Sequence, residues 1–406
     1  MRYGNAIQMA NCFWVKIKRF TVPCIVSYAY VRSGGDMSKL LVESKPVGTN
    51  YPNTPYNVLD LFCGAGGLSE GFRQAGYNVV AGIDNDKEAL ITFSNNHPES
   101  EAVLADLGGE IDFEKEPFKK LANKKIDVII GGPPCQGFSV AGNRIADDPR
   151  NILYKSYLKM IKHFRPKVIV LENVPTIMSL YGGKIGNAII SDFKELGYNT
   201  EIKLLVASDY GIPQKRRRVF FIAFYGQKLN LFINKTKTKV TTAEAISDLP
   251  LLEVEEGAEE SEYTKAPETT YQREMRKDSK MLYNHWAVKH KPETKRIISL
   301  VPDGGNYKNL PKNLQNTRKV HIAWTRMNSK APCFTIDAGH NHHFHYKANR
   351  VPTVRECARI QSFPDKFRFY GKKTSQFRQV GNAVPPMLSK IIAVQIKIGL
   401  NGLQSG

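Results

Sequence analysis

From Tyr56 onward the chain repeats one unit: a short apolar run that stops at a polar or glycine-rich signal and gives way to a helical pattern. Asn57–Phe62 (NVLDLF) is followed by CGAGG and the helix-like LSEGFRQAG. Asn78–Ile83 (NVVAGI) ends at Asp84, and the next segment, VLAD, ends at Asp106. Ile126–Ile130 (IDVII) runs into GGPPC, and Lys167–Leu171 (KVIVL) into Glu172-Asn173-Val174. A later run is Val219–Ala223 (VFFIA). Strands alternating with helices predict an α/β fold with a mostly parallel sheet. The near-continuous Val/Ile/Leu character of the runs predicts a sheet covered on both faces. In such sheets ligands bind beyond the carboxyl ends of the strands. Here the polar signals fall at those ends, which predicts one shared crevice.

Four segments are expected. Residues 1–54 read as an N-terminal extension and linker, a candidate for disorder, in which Met37 is an alternative start and Ser44 to Pro55 is the linker. TVPCIVSYAYV, after Lys16, Lys18 and Arg19, has a faint signal-peptide character without a small-residue cleavage site. Residues 55–225 form the first domain. Residues 226–348 read as a second, smaller, irregular domain: glutamates crowd 251–270, basic residues dominate from Arg273 to Lys330, and periodicity is poor. Residues 349–406 return to the first domain, ending in a helix from Pro386 to about Leu400. No apolar run reads as a bilayer span.

The net charge of +20 favours a polyanionic partner, nucleic acid before an acidic membrane surface. The six cysteines show no CxxC pair and no framework, which predicts free thiols in a reducing compartment.

The chemistry sits in four motifs. Asp60-Leu-Phe-Cys-Gly-Ala-Gly-Gly67 is a glycine-rich turn that lets backbone approach a ligand; alone it fits a nucleotide, a phosphate or tight packing. Asp84 suits the two hydroxyls of a ribose and Asp106 the amino group of adenine, although each also suits a helix N-cap. The three signals in order favour an adenosyl cofactor. Gly131-Gly-Pro-Pro-Cys-Gln-Gly-Phe-Ser139 presents Cys135 rigidly at a strand end, a candidate nucleophile once deprotonated. Glu172 in Glu-Asn-Val can protonate a ring nitrogen if burial raises its pKa. Gln214-Lys-Arg-Arg-Arg218 clusters cations beside the crevice, suited to phosphates and base oxygens. The Gly339–His345 tract (GHNHHFH) lacks finger spacing and a cysteine pair, so packing or DNA contact is expected there rather than metal.

These motifs, in this order, resemble the bacterial DNA cytosine-C5 methyltransferases of restriction-modification systems. Asp209-Tyr-Gly-Ile-Pro213, Arg355-Glu-Cys-Ala-Arg359 and Gly381-Asn-Ala-Val-Pro-Pro386 extend the match, which covers roughly 55–225 and 350–400. The resemblance implies a Rossmann-like S-adenosylmethionine-dependent methyltransferase sheet, with 226–348 standing where the family keeps its target-recognition domain. It implies that Phe62, Gly64, Gly66, Gly67, Asp84, Asp106, Pro133 and Asn382 hold S-adenosyl-L-methionine, released as S-adenosyl-L-homocysteine, with no metal. Cys135 would be the nucleophile, Glu172 would engage cytosine N3, Arg218 would engage O2, and Arg216 would support the same pocket. Gln136, Ser139, Arg144, Arg216 and Arg218 would contact DNA, and Ser139–Arg144 would be a mobile loop. Arg355 and Glu356 read as an interdomain clamp. One departure stands beside the ribose acid, where the family's aromatic is Asn85 here.

The implied activity is methylation of C5 of a flipped-out cytosine in a short double-stranded DNA site. The expected setting is a monomer in a bacterial cytoplasm, near the nucleoid, with a separate cognate endonuclease. The alternatives are a tRNA cytosine methyltransferase and a catalytically silent DNA-binding protein. The target sequence is not legible.

Overall fold

The computed structural model describes the backbone of residues 8–17, 20–33 and 36–46, and residues 56–134, 151–253, 256–316, 324–337 and 343–402 in full. Two compact units divide the chain, 1–55 and 56–406. In the first, β1 (Gln8–Ile17), β2 (Phe20–Ser33) and β3 (Asp36–Pro46) form an antiparallel meander, with a bulge at Ser27/Tyr28. The division falls where the expected N-terminal extension ends, and the Val, Ile, Tyr and Phe content of the stretch favours strands. Met37 falls inside β3, and only the part of the expected linker beyond Pro46 lies outside it.

The second unit is built on a seven-stranded sheet. Its strands are β4 (Asn57–Leu61), β5 (Asn78–Asp84), β6 (Glu101–Leu104), β7 (Val128–Gly131), β8 (Val168–Asn173), β9 (Tyr198–Val206) and β10 (Arg217–Tyr225). Their order is β6-β5-β4-β7-β8-β10-β9. β6 through β8 are parallel, and β10 runs antiparallel to both of its neighbours. The predicted strands are all present. β9 was not predicted, because its polar alternation (YNTEIKLLV) marks a half-solvated edge rather than a buried run.

The order reverses at β4, whose neighbours β5 and β7 lead to opposite halves of the sheet, so a crevice opens past its carboxyl end. Two helices frame that opening, α1 (Gly67–Gln74) and α2 (Lys87–Asn96). Gly66 turns into α1 at φ 92, a left-handed conformation. Asp86 caps α2, accepting from the Glu88 and Ala89 N–H groups. Apolar clusters cover both faces of the sheet, one around Leu61, Ile129 and Phe221, the other around Val58, Ile130 and Phe220.

The C-terminal stretch 373–402 has the length and apolar character of a membrane span, which the sequence reading had not credited. In the fold its apolar residues Leu388, Ile392, Ala393 and Ile396 are buried in the sheet's core, and Ser389 donates to the Leu68 carbonyl at 2.6 Å.

Residues 226–348 belong to the same compact unit. Ala245, Ile246, Tyr271 and Met327 share a core with Val354, Ile360 and Phe363, and a satellite core holds Ile297, Trp324 and Phe344.

Candidate active site

A cavity of about 630 Å³ lies across the strand ends. Phe62, Gly64, Gly67, Asp84, Asp106, Pro133, Glu172, Arg216, Arg218 and Asn382, all singled out in the sequence, line it. Cys135, Gln136, Ser139 and Arg144 lie outside the described residues. Gly66 does not line the cavity. A Cβ there would meet the His97 ring at 2.6 Å and Phe93 at 2.9 Å, so glycine at this position serves close packing of the turn against α2.

The nucleoside end is built from the turn after β4 and the carboxylates after β5 and β6. Phe62 has φ 60 and Gly64 φ 52, so the chain coils sharply as it leaves β4. Around a Cβ built on Gly64 nothing lies within 4 Å, so the backbone there is open to a ligand. Asp84 accepts from the Gly64 N–H at 2.7 Å and from the Asp86 N–H at 2.8 Å. Burial raises its pKa. Each of its oxygens keeps a lone pair for a further donor. Asp106 accepts from the Gly108 N–H at 2.8 Å and so closes a turn; no helix starts there, so the N-cap alternative the sequence left open does not apply.

Beneath the glycine turn lies Asp60, quoted in the motif but given no role. It is buried, accepts from the Ser69 hydroxyl at 2.6 Å, and its second oxygen has no partner. Burial, with Asp84 beside it, pushes its pKa up to about 7. A single apolar run, LDL, hides an acid that only the fold reveals as desolvated.

At the other end, Glu172 stands on β8 with its carboxylate against Gly132. A Cβ on Gly132 would lie 2.8 Å from Glu172 Oε2, so a side chain there would displace the carboxylate. Arg218 Nε holds Glu172 Oε1 at 2.7 Å from the adjacent antiparallel β10. Burial raises the Glu172 pKa, with Arg218 and then Arg216 opposing. The next residue, Asn173, donates to the Pro133 carbonyl at 2.9 Å and so fixes the Pro-Pro segment that leads to Cys135.

Arg216 is 1% exposed and hooks three carbonyls: Ile336 at 3.1 Å, Gly381 at 2.8 Å and Asn382 at 3.4 Å. Burial lowers its pKa to about 9. Gln214 makes a parallel tie, accepting from the Ile336 N–H at 3.0 Å and donating to Gln361 at 2.7 Å. Gln361 then donates to the Val380 and Ala383 carbonyls. Neither glutamine was foreseen, since a buried amide leaves no periodic signature.

The remaining motifs are structural. Arg355 donates to the Tyr283, Pro364 and Phe367 carbonyls, so it ties 226–348 to the C-terminal segment, while Glu356 pairs within that segment with Arg350 through two 2.8 Å bonds. Buried His345 accepts the Lys347 and Ala348 N–H groups on Nδ1, the packing role expected of its tract; burial lowers its pKa to about 4. Among the described residues no cluster could hold a metal.

Residues 56–398 match the family model of C-5 cytosine-specific DNA methylases. The chain is 37% identical over 373 residues to the type II methyltransferase M.DdeI of Desulfomicrobium norvegicum, covering 84% of this chain and 88% of that protein. It is 35% identical to M1.HphI of Haemophilus parahaemolyticus, across 82% and 85% of the two chains. Among solved structures, one described as a DNA modification methyltransferase encoded within an E. coli prophage superposes with a TM-score of 0.71 at 29% identity. That match covers 85% of this chain and 99% of the other. The S. pombe Dnmt2 methyltransferase, at 17% identity and TM-score 0.53, shares the fold.

Proposed function

Because the chain belongs to the C-5 cytosine-specific DNA methylase family and is a DNA cytosine-5 methyltransferase, we propose that it uses S-adenosyl-L-methionine and attacks a flipped-out cytosine through Cys135. The carrying observation is the pairing of Glu172, held by Arg218 and raised in pKa, with the Gly132-Pro133-Pro134 segment that leads to Cys135, in the cavity shared with Asp84 and Asp106.

The donor set fits an adenosyl cofactor. Asp84 offers acceptors to a ribose diol, Asp106 to an adenine amine, Phe62 an aromatic face, and Gly64 open backbone. Once bound, the cofactor supplies an electrophilic methyl group. Asn382 and Gly67 close the wall opposite Asp84 in this reading, and Pro133 borders the methyl end.

Cytosine C5 is a weak nucleophile and must be activated. The Cys135 thiolate adds to C6 while Glu172 protonates or hydrogen-bonds N3, so electron density moves to C5. A raised Glu172 pKa keeps a proton available for that bond nearer neutral pH. Arg218 orients the carboxylate and faces the base oxygen O2. Arg216 holds the floor by tying Gly381 and Asn382 to Ile336. After methylation, removal of the C5 proton returns electrons to the ring and expels the Cys135 thiolate. A stacked base cannot reach this cavity, so the cytosine leaves the duplex at a cost of about a few kcal/mol.

Residues 226–348 read the target, and Gln136, Ser139 and Arg144 contact DNA around the extruded base. The type II names of the relatives support a modification enzyme working with a separately acting cognate endonuclease, as a monomer in a bacterial cytoplasm.

The test is bisulfite sequencing of plasmid from a methylation-free host expressing the chain, beside Cys135→Ala. Protected cytosines at one short motif, lost in Cys135→Ala while DNA binding persists, are expected. Wild-type protection by Cys135→Ala overturns the covalent route.

A further inference from the structure

An adenine ring is flat and apolar on both faces, and a tight site covers both. Among the described residues lining the cavity, Phe62 carries the only aromatic ring. Beyond Asp84 the wall continues with Asn85 and Asp86, and across from them stands Arg378 on the helix Lys373–Asn382. Among the described residues three arginines line the cavity; Arg216 and Arg218 are gathered around Glu172, and Arg378 stands at the Asp84–Asp86 end.

Arg378 is held in place there. Its guanidinium pairs with Asp86 Oδ2 at 2.7 Å, while Asp86 Oδ1 caps α2. The helix that carries it is itself locked to α2, because Thr92 donates to Gln379 at 2.7 Å and Gln379 donates to the Tyr370 carbonyl at 2.9 Å. Yet the Arg378 side chain remains 52% exposed. An ion pair so solvated contributes little to folding. A planar, always-charged group with an open face and a fixed edge is suited instead to stacking on a flat π-system.

We propose that Arg378, anchored by Asp86, is the cover of the adenosyl end of the cavity, its guanidinium plane lying on the adenine of the bound cofactor. This rests on the S-adenosylmethionine reading above. Asp86 acts as a positioning residue, and Asn85 supplies an amide edge rather than a face.

Calorimetric titration of the full chain with adenosine and with S-adenosylhomocysteine tests the assignment, without recourse to turnover. Arg378→Ala weakens both ligands by about tenfold, the size expected of a partly desolvated cation–π stack. Arg378→Lys keeps a charge for Asp86 but no plane, and recovers less than half of that loss on a logarithmic scale. Apo melting temperatures monitor the fold of each variant, and Arg378→Lys carries the test if Arg378→Ala does not fold. Unchanged affinities in Arg378→Ala, full recovery in Arg378→Lys, or a loss for S-adenosylhomocysteine but not adenosine each overturn the proposal. Wild-type protein that binds neither ligand overturns the cofactor reading itself, a result distinguishable from the other three.

Discussion

The sheet and the irregular region that packs against it solve the same problem by opposite means. In the sheet, backbone groups pair in ladders, apolar side chains fill both faces, and outside the edge strand β9 charge sits toward strand ends, as at Asp60, Asp84 and Glu172. Between 242 and 367 ladders are short, and buried arginines take over. Arg326 donates to the Ile298, Val301, His345 and Ala348 carbonyls. Arg350 reaches the Leu252 carbonyl, Arg355 those of Tyr283, Pro364 and Phe367, and Arg359 that of Ala245. A backbone carbonyl taken from water needs a donor. The fork of a guanidinium supplies up to five, which is why a region without ladders can still be ordered. Part of the +20 charge therefore has a structural use, and the whole excess cannot be assigned to DNA.

The largest effect that would break this contrast is at Arg359. It is fully buried and bridges Asp365 and Asp248, with bonds of 2.5 Å and 3.0 Å. These partners raise its own pKa, and the guanidinium in turn, with Arg355 beside it, holds Asp365 below the usual carboxylate range against the burial that raises it. Arg359→Met removes the cation the two carboxylates share, leaving Asp248 only Arg276 at 3.3 Å and Asp365 only Arg355 at 3.8 Å and the Tyr263 hydroxyl, and a loss of about 4 kcal/mol is expected by chemical denaturation. A loss below about 1 kcal/mol would mean that the apolar core alone orders the region.

Asp60 sharpens the comparison from the other side, since the sheet leaves its buried acid with a hydroxyl and no cation at bonding distance. Its folded pKa of about 7 lies above the unfolded value. The stabilising contribution is therefore complete below about pH 4 and is lost as pH rises through 7. Between pH 4 and 8 the wild type should lose about 3–4 kcal/mol relative to Asp60→Asn, at roughly 1.4 kcal/mol per pH unit in the middle of the window. Parallel pH–stability curves would show that Asp60 is ionised throughout.

This contrast also explains what the sequence reveals. Strands β4, β5, β7 and β8 are legible because a sheet buried on both faces demands unbroken Val/Ile/Leu runs. Their polar ends line the cavity, so Asp84 at the end of β5 and Glu172 near the end of β8 are legible with them. The glycines of one turn look alike in the sequence, and only the fold separates Gly64, whose Cβ direction is open, from Gly66, whose Cβ direction meets His97. The N-terminal stretch stands apart in the sequence because it falls outside the repeating βαβ unit, and the chain divides at the same place. Arg326 and Gln214 stayed invisible for another reason. A guanidinium or amide that satisfies carbonyls on several distant segments has no sequence period, and in a basic region it looks like one more solvated cation.

Arg326 gives the smallest of the three effects and the most local one. It pairs with no carboxylate at bonding distance; its five contacts are four carbonyls and the Asn349 side-chain oxygen at 2.9 Å. Burial lowers its pKa, with Asp303 opposing. Arg326→Met matches the stem but leaves these acceptors dry, for a cost of about 3 kcal/mol. Arg326→Lys restores charge but offers three donors from one point and should recover little. The satellite core it ties together, Ile297, Ile298, Trp324, Phe344 and Val351, is separate from the sheet's clusters. Hydrogen exchange in Arg326→Met should therefore speed up across 297–351 while β4, β7 and β8 keep their protection. Uniform loss of protection would mean that the arginine-tied region and the laddered sheet unfold as one, and that the two ways of satisfying backbone are energetically a single structure.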